Sequence, residues 1–128
     1  MERLSGMDAA FLYLETDAGH MHVAMVGIYD VATMAGGYSF ESFKQHIADR
    51  LHVVDPFRRR LVEVPFQFHH PVWIEDPDFD LDYHVRRVTC PAPGGRRELA
   101  EVAGEIASVP LDRTRPLWTF DVIGPLAD

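Results

Sequence analysis

Proton transfer at neutral pH is histidine chemistry, and the adjacent pair His69-His70 is the most tempting general base in this chain. Nothing in the 128 residues, however, assembles a base, a nucleophile and an oxyanion donor around it. His69 and His70 therefore read as a decoy, solvent-facing in a loop between two strands. His20 and His22 share one face of an alternating run, a spacing that can hold a metal, but no third ligand is identifiable nearby and no metal site is expected. The run Glu75-Asp76-Pro77-Asp78-Phe79-Asp80-Leu81-Asp82 is acidic enough for calcium. It lacks the glycine and closing glutamate of an EF-hand loop, so it reads as a solvated turn and strand face. Arg58-Arg59-Arg60 and Arg86-Arg87 suit a phosphate, although such runs more often pair with neighbouring carboxylates. Cys90 has neither a local base nor a helix N-terminus to activate it as a nucleophile. Gly94-Gly95 precedes a helix without a GxGxxG or Walker pattern and reads as a flexible loop.

The elements that must position these residues follow from periodicity and punctuation. Ser5 caps a first helix with Met7, Ala10, Phe11 and Leu14 on one face, predicted over residues 5–16. Residues 20–30 are apolar on both alternating faces, the composition of a central strand. Ser39 caps a second helix over residues 39–52, striped by Phe40, Phe43, Ile47 and Leu51. Three short β-favouring runs follow: Leu61-Val62-Glu63-Val64, Pro71-Val72-Trp73-Ile74-Glu75 and Asp80-Leu81-Asp82-Tyr83-His84-Val85. The last alternates, with Leu81, Tyr83 and Val85 inward and Asp80, Asp82, His84 and Arg86 outward. A third helix over residues 96–109 carries Leu99, Val102, Ala103 and Ile106, and residues 111–115 form a polar connection. Residues 117–123 make a last strand, with Trp118, Phe120 and Val122 on its apolar face and Trp118 expected as a core anchor and not a substrate contact. The order implies an α/β architecture in the mixed α+β sense, a mixed sheet with three main helices. Residues 1–128 read as a single partial domain with no internal boundary.

Composition narrows the function. With 47% apolar and 25% charged residues the chain is globular, and a net charge of −8 argues against nucleic-acid binding. A single cysteine excludes an intrachain disulfide and fits a reducing cytosol. The N-terminus is neither a signal peptide nor a membrane span, so membrane contact is expected to be peripheral at most.

Several long segments are distinctive: RLSGMDAAFLYLET, HMHVAMVGIYD, GGYSFESFKQHIADRL, FRRRLVEVPF, HPVWIEDPDFDLDYHVRRV, PAPGGRRELAEVAGEIAS, PLDRTRPLW and DVIGPL. Together they resemble the N-terminal part of actinobacterial wax ester synthase/diacylglycerol acyltransferases over essentially the whole chain. That resemblance implies a CoA-dependent acyltransferase fold, like chloramphenicol acetyltransferase, in which two halves face each other across a tunnel. It implies transfer of a fatty acyl group from acyl-CoA, as substrate and not cofactor, to diacylglycerol or a long-chain alcohol. No cofactor and no metal are implied. The family's base is the second histidine of HHxxxDG, which deprotonates the acceptor hydroxyl as it attacks the thioester. Here Ile74 stands four positions after His70 and Glu75 follows, so His69-His70 is not that motif. In the family HHxxxDG lies downstream of a Pro-Leu-Trp motif, here Pro116-Leu117-Trp118, whose implied role is structural. The expectation is therefore an N-terminal segment, catalytically incomplete alone, with no catalytic residue of its own. Its implied partners are a C-terminal acyltransferase chain or a second copy. Its implied place is the cytoplasm, at most peripheral at the inner membrane face or lipid droplets. The competing readings are a non-catalytic module binding lipid, a lipid-droplet surface or a partner acyltransferase, and a carrier-protein-binding piece related to condensation domains.

Overall fold

A computed structural model describes residues 2–127, with Gln67 described by its backbone alone. The chain divides into two compact units, each drawn from three separate stretches. The first takes the chain up to Val23, Val54–Phe79 and Pro110–Trp118. The second takes Ala24–Val53, Asp80–Val109 and the chain from Thr119 on.

In the first unit, strand β1 (Glu2–Arg3) leads into helix α1 (Gly6–Leu14). The Ser5 hydroxyl accepts the Asp8 N–H at 3.1 Å, satisfying one of the amides that a helix start leaves unpaired. Strands β2 (Arg59–Val62) and β3 (Val72–Glu75) complete an antiparallel sheet of order β1-β3-β2, with Leu61 opposite Trp73. The α1 residue Ala9 and the sheet residue Leu61 bury with Leu4, and Leu12, Trp73 and Leu117 pack around them. Each leucine so buried contributes about 1.5–3 kcal/mol, which ties helix, sheet and residues 110–118 into one body.

In the second unit, helix α2 (Phe40–Ala48) is capped by Ser39, whose hydroxyl accepts the Ser42 N–H at 3.1 Å. A single turn, α3 (Leu81–His84), runs directly into strand β4 (Val85–Thr89). Helix α4 (Arg96–Ala107) follows, and β5 (Phe120–Gly124) pairs with β4 in parallel, Arg86 opposite Asp121. That register places the Arg86 Nε 2.9 Å from the Asp121 carboxylate. Gly94 is buried at φ +73, and a Cβ on it would meet the Pro125 carbonyl at 2.8 Å. Glycine is required there, and the Gly94 carbonyl accepts the Ala127 N–H at 2.8 Å. The Gly94-Gly95 stretch is thus a tight docking point and not the flexible loop its composition suggested.

The three main helices form where their stripes and caps place them, and the class is mixed α+β. Four local expectations fail. The strands form two sheets, one antiparallel and one parallel pair, in place of a single mixed sheet. Residues 20–30 are irregular and not a central strand, because no described strand lies beside them to complete their backbone ladder. Residues 81–84 are helical, because the Asp80 side chain accepts the Asp82 N–H at 2.9 Å and starts a turn where alternation suggested a strand. His84, assigned to the solvent face, is consequently buried together with Val85. The last strand begins at Phe120, so Trp118 precedes it and the shared apolar face does not exist: Phe120 is 41% exposed.

Candidate functional site

The histidine pair belongs to the first unit, in the loop between β2 and β3. Pro65 opens a 3₁₀ turn there, and Phe66 adopts φ +58, the left-handed region that a side chain with a Cβ rarely enters. The turn holds Phe66 and Phe68 out into solvent, 89% and 76% exposed. His69 and His70 follow, both exposed. The His70 Nδ1 lies 3.0 Å from the Tyr13 hydroxyl on α1, and Tyr13, Phe68, His69 and His70 line a shallow surface depression. A phenol is the orienting partner of His70 where acid–base catalysis favours a carboxylate, and open solvent removes the low-dielectric setting that strengthens such pairs.

A better-built constellation lies where residues 110–118 cross the same unit. Pro116 is buried and Leu117 packs on the Leu4, Ala9 and Leu61 cluster. The Trp118 indole stacks on Phe57 at a centroid distance of 4.8 Å and donates its Nε1–H to the Phe57 carbonyl at 2.7 Å. Phe79 lies 6.3 Å away on the same ring. Trp118 is therefore anchored on the segment before β2 by this aromatic stack.

Sequence reading passed over Arg113 as part of a polar connection. Its guanidinium donates to the Leu12 carbonyl at 2.8 Å and to the Glu15 carboxylate at 3.1 Å. Leu12 lies in the last turn of α1, where carbonyls lack helical partners and a cation opposes the dipole. Glu15 also accepts the Met21 N–H at 3.0 Å. That backbone donor foremost, with Arg113 behind it, holds the Glu15 carboxyl below its ordinary range against the raising effect of burial. The Thr114 hydroxyl and amide, with Arg115 beyond them, do the same for Asp112. The available signal was an arginine flanked by Asp112 and Thr114, ahead of a proline. Leu12, Tyr13, Arg60, Pro71, Arg113 and Thr114 line a cleft of about 400 Å³.

The remaining candidates resolve into structure. Arg58 reaches Asp55 and Glu75 at 3.7 and 3.8 Å, Arg59 reaches Glu2 at 2.5 Å, and Arg60 reaches Asp76 at 3.7 Å. In the second unit Arg86 pairs with Asp121, and Arg87 reaches Glu41 at 3.5 Å while lying 4.8 Å over the Phe40 ring. The arginines hold carboxylates, the commoner use of such runs. The acidic run is dispersed: Asp76 caps Asp78, Asp80 caps Asp82, and Asp82 pairs with Lys44. The His20 and His22 rings stack at 5.4 Å. Among the described residues no three His, Cys, Asp or Glu side chains converge as a metal site. Cys90 is buried.

Residues 4–128 match the family described as the wax ester synthase/diacylglycerol acyltransferase catalytic domain. Two relatives from Mycobacterium tuberculosis that carry diacylglycerol O-acyltransferase names are 48% identical over 96% of this chain and 46% identical over 100% of it. The chain spans 24% and 27% of their lengths, their N-terminal part. A third from the same organism is 40% identical over 94% of this chain and 44% of its own. The wax ester synthase/diacylglycerol acyltransferase structure from Marinobacter aquaeolei superposes on all of this chain and 30% of its own, with TM-score 0.70 and 28% identity.

Proposed function

Since the chain belongs to the wax ester synthase/diacylglycerol acyltransferase family, we propose that it is the N-terminal segment of an acyltransferase moving a fatty acyl group from acyl-CoA to diacylglycerol or a long-chain alcohol. We take residues 1–128 as one partial domain, a reading supported by the unbroken family match over residues 4–128. The segment's part in the reaction is scaffold. In the reaction the acceptor hydroxyl loses its proton to a base while its oxygen attacks the thioester carbonyl, and the CoA thiolate leaves. The single observation carrying the scaffold role is the setting of His70. It sits exposed on an aromatic loop, its Nδ1 opposite the Tyr13 hydroxyl, and the 128 residues contain no HHxxxDG. Pro116-Leu117-Trp118 contributes as a structural corner that fixes residues 110–118 to the segment before β2.

The assay follows free thiol release from palmitoyl-CoA with diolein or hexadecanol as acceptor. The 128-residue chain alone should stay at background. Fused to the C-terminal remainder of the 48%-identical relative it should turn over. Turnover by the chain alone that vanishes in His70→Ala would overturn the scaffold role.

One observation favours a second reading, a lipid-surface module. Phe66 and Phe68 stand exposed beside an α1 whose Met7 and Leu14 are 74% and 66% exposed. No described helix is long and apolar enough to cross a membrane, so such contact would be peripheral, at the inner membrane face or a lipid droplet. Sedimentation of the unfused chain with dioleoyl phosphatidylcholine vesicles, lost in Phe66→Ser with Phe68→Ser, would support it. The sole cysteine, buried as a free thiol, fits a cytoplasmic, reducing setting for either role.

A further inference from the structure

The cleft of about 400 Å³ in the first unit is lined by two arginines whose donors the fold leaves mostly unspent. Arg113 uses a single nitrogen, Nη2, for both the Leu12 carbonyl and the Glu15 carboxylate. Its Nε and Nη1 donate to none of the described residues. Arg60 enters the cleft from β2, and its ion pair with Asp76 is 3.7 Å long at Nε, outside hydrogen-bond range. A guanidinium carries five N–H donors in a planar fork, so the two side chains bring a surplus of donors to one place. At 30% and 38% exposure both are half-buried, where charge-assisted bonds to an anion are stronger than in open water. Between them the wall is apolar, with Leu12 from α1, Val62 from β2 and Pro71 just ahead of β3. The volume sits near the small end of ligand pockets, roughly 300–1,000 Å³, which suits one head group and one chain. Glu63 lines the same cleft and is exposed. With the net charge of −8, that carboxylate favours a singly charged anion over a doubly charged phosphate.

We propose that this cleft is a binding site for a free single-chain fatty acid, its carboxylate held by Arg60 and Arg113 and its chain laid along Leu12, Val62 and Pro71. A planar carboxylate matches the planar guanidinium fork, and the apolar wall supplies the affinity that a bare anion would lack. The ligand carries neither a thioester nor an acceptor hydroxyl, so it occupies the cleft without entering the transfer reaction. Its contacts span α1, β2 and residues 110–118, the pieces that Arg113 and Leu117 already tie together, so binding stabilises the first unit by mass action. The inference goes beyond the acyltransferase role and does not rest on it.

Isothermal titration calorimetry of the 128-residue chain with sodium dodecanoate, kept below its micelle concentration, tests the site. One equivalent should bind saturably. Dodecanol keeps the chain and loses the charge, whereas acetate keeps the charge and loses the chain; each should bind at least about tenfold more weakly. Dodecyl phosphate should also bind more weakly than dodecanoate. Arg60→Gln should lose about tenfold in dodecanoate affinity, with circular dichroism reporting that the variant is folded. Glu63→Gln removes an exposed like charge from the cleft and should tighten dodecanoate by about threefold. That second variant decides the matter if Arg60→Gln does not fold. Uptake that never saturates, dodecanol binding as tightly as dodecanoate, or an unchanged affinity in folded Arg60→Gln overturns the fatty-acid site. An unchanged affinity in Glu63→Gln does so too, because the carboxylate would then lie away from this cleft. Tighter binding of dodecyl phosphate overturns the choice of head group.

Discussion

Trp118 and His70 each hold a side-chain hydrogen bond within the first unit, at 2.7 and 3.0 Å, yet their surroundings are opposite. Trp118 stacks on Phe57, has Phe79 near its ring, and donates to a backbone carbonyl that cannot rotate away. His70 hangs from a turn whose Phe66 sits at a strained φ of +58, and its partner is the exposed Tyr13 phenol. Stacking and desolvation make the first bond part of the fold, whereas water competes for the second. Residue type alone therefore ranks these sites backwards. The residue with catalytic potential lies exposed, and the hydrophobic one has the preorganised setting.

Removing the indole should produce the largest effect. Trp118→Ala abolishes the stack and leaves the Phe57 carbonyl short of a donor, costing about 3 kcal/mol, the low end for a tryptophan truncation because the side chain is half-buried. Urea melts followed by circular dichroism read this as a lower midpoint at unchanged slope. Trp118→Phe separates the two contributions, since it keeps a stacking ring and loses the hydrogen bond, at about 1 kcal/mol. An alanine midpoint equal to wild type would reduce the corner to the same standing as the histidine loop.

Arg113 extends the built side of the comparison. Arg113→Ala uncouples residues 110–118 from the last turn of α1 and should cost about 1–2 kcal/mol, the range for hydrogen bonds from a charged donor that is partly exposed. Arg113→Lys should recover only part of it, because one ammonium replaces a planar fork that reaches both Leu12 and Glu15. Full recovery by lysine would show that charge at the helix end, and not the shared geometry, carries the effect.

Acid should weaken the same corner. The Glu15 carboxyl is held below its ordinary value, chiefly by the Met21 N–H and then by Arg113. A carboxylate depressed on folding adds stability that is complete above its unfolded value, and that stability fades as pH falls through its folded value. Wild type should thus lose stability below about pH 4.3, where an unfolded glutamate begins to hold its proton. Glu15→Gln should lose less over that interval. Asp112, held low by Thr114, adds to the same slope. Parallel acid titrations of wild type and Glu15→Gln would remove Glu15 from this account.

How much of this was readable from the chain depends on the range of the interaction that decides each element. Ser5 and Ser39 cap their helices through a bond to the amide three residues on, so caps and stripes sufficed for the main helices. The Asp80 cap is equally local, but the alternation of Leu81, Tyr83 and Val85 pointed to a strand and hid it, which placed His84 on the wrong face. Residues 20–30 have the composition of a central strand, but a strand is realised only by its neighbours, and none of the described residues supplies one. Trp118 to Phe57 and Arg113 to Leu12 span 61 and 101 positions, beyond any periodicity argument. The Pro-Leu-Trp motif drew attention to the corner, and its partners came from the fold.

The smallest effect expected is at the residue that first drew attention. His70→Ala removes one side of an exposed hydrogen bond whose other side, the Tyr13 hydroxyl, water can satisfy at once. Its cost should therefore fall within about 0.5 kcal/mol, the usual range for surface substitutions. Tyr13→Phe should match it, and the double variant should show no coupling, because a bond that water replaces leaves nothing for the pair to share. The same three variants in the fusion to the C-terminal remainder should keep wild-type thiol release. A coupling energy above about 1 kcal/mol would place Tyr13 and His70 in a protected site. A loss of turnover confined to His70→Ala, with stability unchanged, would move the base into this loop and take the scaffold role away from the segment.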